Sequence, residues 1–150
     1  MRFKAHSLFA SFRYAASGIY FCLRTQRNMR IHVVAGFSAM GLGIWLQVPL
    51  FHLAIVAVVS SLVVTMEMLN TAIENAVDLY THRRHPLAKI AKDVAAAAVL
   101  VSAINAVLVG LIVLGPPLYV KGLQAGAPLP VLHPYLRPSW MPQATEAKLH

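Results

Sequence analysis

Acidic residues are scarce in this sequence: five of its 150 residues are Asp or Glu, and Cys22 is the single cysteine. One cysteine excludes an internal disulfide, and nothing around Cys22 marks a metal site or a reactive thiol. Charged residues make up 12% of the chain and hydrophobic residues 58%, which is far from the composition of a soluble domain. A soluble helical bundle is therefore the weaker interpretation, and an all-α membrane protein the stronger one.

Three apolar stretches are long enough to be considered as membrane spans. They cover residues 31–48, residues 50–66 with a continuation into an acidic segment, and residues 94–114. A helix rises about 1.5 Å per residue and about 20 residues cross the bilayer, so the first stretch is slightly short and the other two suffice. Pro49 separates the first two stretches with almost no loop, which predicts an antiparallel hairpin.

Lysine and arginine are unevenly distributed along the chain. Six of the thirteen precede residue 31, four lie in residues 83–92, and the turn at residues 47–52 has none. Because cytoplasmic segments collect Lys and Arg, we expect the N-terminus and the 82–92 loop in the cytosol, with the turn and the C-terminus outside. A net charge of +8 also suits nucleic acid binding, but these basic residues flank the spans, so we expect no nucleic acid partner.

The composition divides the chain into three parts. Residues 1–30 mix basic and bulky apolar residues without the continuous apolar run of a signal peptide, which predicts an amphipathic helix in the membrane interface from about residue 5 to 25. Residues 31–115 form the predicted three-helix membrane core. Residues 116–150 are rich in proline and poor in periodicity, and we expect a loosely ordered C-terminal tail that chemistry does not require.

Three of the five acids lie in the segment EMLNTAIENAVD, residues 67–78. Glu67, Asn70, Glu74 and Asp78 are spaced by 3, 4 and 4 residues and fall within about 80° on a helix; we call them the acidic stripe. Ionisable groups within a span are unfavourable and usually mark function. Neighbouring carboxylates repel each other unless a cation neutralises them, and Mg²⁺ or the basic residues that follow would do so.

Two alternatives without catalysis remain open for the stripe. In the first, its acids only pair with Arg83, Arg84, Lys89 and Lys92 and hold the helices together. Aligned carboxylates in a small oligomeric membrane protein also suit a proton or cation pathway. Against a pathway, the outer half of the second span offers only Ser60, Ser61 and Thr65 as polar groups.

The stripe, followed by Ala91, Lys92 and Asp93 and an Ala/Val-rich span, resembles the prokaryotic diacylglycerol kinase family of small trimeric integral membrane lipid kinases. The segments SFRYA (residues 11–15) and RNMRIH (residues 27–32) resemble its N-terminal half, so the resemblance covers residues 7–115. It implies a homotrimer with an interfacial helix and three transmembrane helices. Its implied localisation is the bacterial inner (plasma) membrane, as a multi-pass protein with the active site at the cytosolic face.

The resemblance implies an ATP-dependent transfer of the γ-phosphoryl group, with Mg²⁺, to the primary hydroxyl of a membrane lipid. Diacylglycerol, which would become phosphatidic acid, is the first substrate to consider. Undecaprenol is the alternative, because the RNMRIH segment resembles the family branch that acts on that alcohol. The chain has neither a Walker motif nor the motif set of protein kinases, so helix ends and side chains would build the ATP site.

By the same resemblance, Glu67 is the general base, Asn70 orients it or the substrate, and Glu74 is a metal ligand that bridges to the nucleotide. His32 matches a family position, but we interpret it as a structural hydrogen-bonding group. The residues implied at the nucleotide are Asn70, Glu74, Asp78, Lys92, Asp93, Tyr14, Arg13, Arg83, Arg84 and His85.

One position departs from the family. Gln26 stands where the family usually has a Glu that supplies a second metal ligand. An amide oxygen still coordinates a metal, but it lacks the charge that strengthens Mg²⁺ binding. We therefore expect weaker metal affinity, or a substitute carboxylate such as Asp93.

Overall fold

The computed structural model describes residues 8–80 and 85–126, with side chains to residue 123. Its helices are α1 (Leu8–Thr25), α2 (Arg27–Trp45), α3 (Leu50–Tyr80) and α4 (Pro86–Gly126). Within those two ranges no strand occurs, so the all-α prediction is confirmed. The predictions for Arg83, Arg84 and the chain beyond residue 126 lie outside the described residues.

Two of the helices are long and apolar enough to cross a membrane. They are α3, with a mean hydropathy of 2.0 in its most apolar window, and α4, with 2.7. Only 17% of each window is buried inside the protein, whereas the core helix of a soluble protein is mostly buried. Both helices therefore have the length and composition of membrane spans. Helix α2, with 19 residues, does not meet the same criteria of length and hydropathy. The third span therefore stays a prediction.

The predicted hairpin between α2 and α3 is present, and its turn is four residues long. Gln47 takes a left-handed conformation with φ of 57°. Its N–H donates to the carbonyl of Ile44 at 3.0 Å, and the N–H of Val48 donates to the carbonyl of Gly43, also at 3.0 Å. These two bonds form a Schellman motif, which satisfies carbonyls that the helix end leaves free. Pro49 directly precedes α3, and its carbonyl accepts the N–H groups of His52 and Leu53 at 2.9 and 3.1 Å.

Helix α3 packs against both α4 and α2. The close approach of α2 depends on a small residue: a Cβ added at Gly43 would lie 2.5 Å from a methyl carbon of Leu53 and 3.3 Å from one of Leu114. A buried apolar cluster of Leu46, Val48 and Leu114 closes the end of the bundle at the α2–α3 turn. Small residues at such contacts let membrane helices pack closely.

Helix α4 runs past the predicted start of the tail. It includes Pro116 and Pro117 and ends at Gly126, so residues 116–126 are helical. The two prolines cannot donate to the carbonyls of Ile112 and Val113, and all four residues line a cavity of about 110 Å³ beside His52. A contact distant in sequence stabilises the extension. The Lys121 ammonium donates to the Trp45 carbonyl at 3.0 Å and lies 3.8 Å from the centre of the Trp45 ring.

Helix α1 lies on the outside of the bundle and makes only limited contact with α2 and α3. Cys22 is its one buried residue, which agrees with a packing role for that cysteine. Leu8, Phe9 and Phe12 are exposed, as expected of a helix that rests in a membrane interface. The extended residue Gln26 separates α1 from α2, so α2 begins at Arg27, before the predicted boundary at residue 30.

Candidate active site

The C-terminal half of α3 turns its polar side inward. Glu67 and Thr71 are each only 2% exposed, whereas Leu69 and Ile73 on the opposite face are 50% and 39% exposed. The helical spacing of the stripe produces this arrangement, because residues three or four apart share one face. A carboxyl group buried within a span is unfavourable in energy and, as in other membrane proteins, points to function.

Hydrogen bonds along α3 hold most of the neighbouring polar groups. The Thr71 hydroxyl donates to the Glu67 carbonyl at 3.0 Å, and the Asn75 amide donates to the Thr71 carbonyl at 2.7 Å. The Asn70 amide nitrogen donates to a carboxylate oxygen of Glu74 at 3.1 Å. The Asn70 amide oxygen is buried and has no partner among the described residues. Asn70 therefore links two positions of the stripe and keeps an acceptor free.

Two ion pairs lie where α3 ends and α4 begins. The Lys92 ammonium lies 2.6 Å from an Asp78 oxygen and so joins α4 to α3, and the Lys89 ammonium lies 2.8 Å from an Asp93 oxygen within α4. These are the salt bridges of the described residues, so neither Glu67 nor Glu74 has a Lys or Arg partner there. Glu67 and Glu74 differ in this way from Asp78 and Asp93.

Glu67 and Asn70 line a cavity of about 290 Å³ between α2, α3 and α4, which we call the Glu67 cavity. Its lining residues are Asn28, Ile31, His32, Glu67, Asn70, Ala96, Val99, Leu100 and Ala103. The cavity combines two polar walls, from α2 and α3, with an apolar wall from α4. Sequence reasoning did not place Asn28 and His32 at the site, although their spacing of four residues puts them on one face of α2.

Several predicted site residues lie apart from the buried carboxyl. Arg13 and Tyr14 are exposed on α1, with the Arg13 guanidinium 5.6 Å from the Tyr14 ring centre, and no hydrogen bond or ion pair of the described residues joins them to the stripe. His85 caps α4: its Nδ1 accepts the N–H of Leu87 at 3.2 Å. Gln26 is half-buried and makes no capping hydrogen bond with its side chain.

Glu74 and Asn70 resemble the protein ligands of a magnesium ion that arrives bound to substrate phosphates. The described residues contain no group of three or more His, Cys, Asp or Glu suited to a metal, so a site made of protein ligands alone is not present there. Glu74 nevertheless offers a carboxylate outside the ion pairs, and the free Asn70 oxygen beside it would accept from a metal-bound water. One or two carboxylates, several waters and substrate phosphates are the usual ligands of Mg²⁺.

Comparison with known proteins adds a second line of evidence. The family model described as prokaryotic diacylglycerol kinase matches residues 13–114, which include the whole acidic stripe. A diacylglycerol kinase from Synechocystis sp. is 47% identical over 115 residues, which cover 76% of this chain and 66% of that protein. An undecaprenol kinase from Bacillus subtilis is 38% identical over 117 residues, which cover 78% of this chain and 95% of that protein. The chain thus spans slightly less than two thirds of the first relative and nearly all of the second.

Proposed function

The chain belongs to the prokaryotic diacylglycerol kinase family and is a membrane lipid kinase, and we propose that it transfers the γ-phosphoryl group of ATP to the primary hydroxyl of diacylglycerol, giving phosphatidic acid. The observation that carries this proposal is the burial of Glu67 beside a cavity that has an apolar wall. A lipid alcohol needs both features: a group that accepts its proton and a surface that contacts its chains.

In the proposed reaction, the lipid hydroxyl lies in the Glu67 cavity and donates its hydrogen to the Glu67 carboxylate. Its oxygen attacks the γ-phosphorus, the bond from that phosphorus to the bridging oxygen breaks, and ADP leaves while Glu67 takes the proton. Asn70, which bonds Glu74 and lines the same cavity, would orient the substrate. Leu100 and Ala103 on α4 would contact the first carbons of the chains.

The nucleotide phosphates would lie nearer the cytosol, between Glu74 and the Asp78–Lys92 ion pair. Lys92 is suited to phosphate charge, and Asp78, Asp93 and His85 surround the same end of the helices. Bound magnesium would neutralise phosphate charge, and Glu74 and Asn70 are the residues placed to hold it. We propose a homotrimer in the bacterial inner membrane, with this end at the cytosolic face and Arg13, Tyr14, Arg83 and Arg84 near the nucleotide.

Undecaprenol is a second candidate substrate, because a relative named undecaprenol kinase matches this chain over 95% of its own length. Both alcohols present a primary hydroxyl on an apolar chain. The cation pathway is less favoured, since the hydroxyls of Ser61 and Thr65 in the outer half of α3 bond back to carbonyls of their own helix.

A direct assay separates these functions. We expect purified protein in micelles, given labelled ATP and Mg²⁺, to label diacylglycerol at least about tenfold faster than undecaprenol, a difference of ~1.4 kcal/mol in transition-state binding. The opposite preference would support the second candidate. Protein that labels neither alcohol but conducts ions in liposomes without ATP would contradict the kinase proposal.

The neutral Gln26 provides a second test at the metal. We expect Gln26→Glu to lower the Mg²⁺ concentration for half-maximal activity by about tenfold, since it adds a carboxylate ligand worth ~1.4 kcal/mol. Gln47→Glu is the matched control, because it adds the same charge in the turn at the other end of α2. An unchanged Mg²⁺ requirement in Gln26→Glu, measured by titration, would exclude position 26 from the metal site.

A further inference from the structure

The Glu67 cavity contains one side chain able to carry a positive charge. Helix α4 contributes only Ala96, Val99, Leu100 and Ala103, and α3 contributes Glu67 and Asn70. Helix α2 contributes Asn28, Ile31 and His32, of which only the imidazole of His32 accepts a proton to become a cation.

A carboxylate as buried as Glu67 needs a compensating charge or hydrogen-bond donor. Two lysines near the start of α4 form ion pairs with other acids: Lys92 pairs with Asp78, and Lys89 pairs with Asp93. Asn70 directs one N–H of its amide nitrogen to Glu74 at 3.1 Å. His32 remains: it lines the same cavity as Glu67, and its side chain is the one there that can supply both a charge and an N–H.

We propose that His32 is a positioning residue for Glu67, orienting its carboxylate across the shared cavity by the charge or N–H of the imidazole. The inference rests on the proposed function, because it concerns the group that takes the proton from the lipid hydroxyl. One carboxylate oxygen would face His32, and the other would face the hydroxyl. A purely structural His32 at the membrane boundary would instead affect only the folding of α2.

A double-mutant cycle tests the coupling. His32→Leu is measured in the wild type and in the Glu67→Gln background, with kcat and the KM values for ATP and lipid. We expect His32→Leu to lower kcat by about 10- to 100-fold with little change in the KM for ATP, as the loss of one hydrogen bond to a charged group does. In the Glu67→Gln background, whose residual rate is followed by long incubation, it should have no further effect.

Two more variants control for folding. His52→Leu removes another half-buried histidine, at the far end of α3, and should leave kcat within about twofold of the wild type. His32→Gln keeps an N–H donor without the charge, and its kcat should lie between those of His32→Leu and the wild type. If His32→Leu fails to fold, His32→Gln replaces it in the double-mutant cycle.

The outcomes are distinct. If His32→Leu lowers kcat by the same factor in both backgrounds, the role of His32 is overturned. The same holds if His32→Gln and His32→Leu are both as active as the wild type. Either result leaves the lipid kinase proposal intact. A folded wild type that phosphorylates neither lipid would overturn both.

Discussion

Replacing Glu67 with glutamine is expected to reduce lipid phosphorylation by about 10²- to 10⁴-fold, the usual contribution of a general base. Glutamine keeps the shape of the side chain but cannot accept the hydroxyl proton. The side chain it replaces is only 2% exposed and has no Lys or Arg partner in the described residues, so the substitution also removes a buried charge. Thermal stability should therefore stay the same or rise. The rate of label transfer to lipid and the melting temperature measure the two effects.

Thr65→Val is the control for this experiment. It is another isosteric change on the same helix, two residues earlier, at an exposed hydroxyl that only bonds the Ser61 carbonyl. Its activity should stay within about twofold of the wild type. Turnover by Glu67→Gln at the wild-type rate would remove Glu67 from the role of base and favour the interpretation in which the acids only hold the helices together.

Much of the fold follows from local patterns in the sequence. The hairpin was predictable because Pro49 interrupts a long apolar region, and the Schellman motif at Gln47 confirms the place of the turn. The inward orientation of Glu67 was predictable because helical spacing places the polar residues on one face. Both features depend on residues close together in the chain.

The extent of α4 depends instead on a distant contact. Prolines at positions 116 and 117 usually end a helix, so the sequence predicted a tail from there. The helix continues because Lys121 contacts both the carbonyl and the ring of Trp45, 76 residues earlier. No local pattern reports a contact at such separation.

The site was predictable along α3 and less so across the bundle. The acidic stripe could be assigned because one helix carries it. Asn28 and His32 were missed because only the packing of α2 beside α3 and α4 brings them to the cavity. His85 was assigned to the nucleotide from a resemblance, and the structure adds a local role, the cap of α4, that its position directly before Pro86 indicates.

Removing the charge of Lys92 should weaken nucleotide binding more than any other change at the cytosolic end. Lys92→Met is expected to raise the KM for ATP by about 30-fold, which corresponds to ~2 kcal/mol for a lost charge-assisted contact with phosphate. The ammonium of Lys92 joins α4 to Asp78 of α3 at 2.6 Å, so it is already held where the phosphates would arrive. Methionine preserves the apolar length of the side chain. Initial rates over a range of ATP concentrations at fixed lipid give the value.

Lys89→Met is the matched control, because both lysines lie near the start of α4 and both pair with an aspartate. The Lys89–Asp93 pair joins residues four apart on one helix, so it does not connect α4 to a second helix. The Lys89 side chain is 80% exposed, so water screens the charges of this pair. Its loss should change the KM for ATP by no more than about twofold. If Lys92 makes a specific contact with phosphate, its loss must raise the KM for ATP more than the loss of Lys89. Equal effects of the two substitutions would mean that the basic surface attracts ATP only by its overall charge.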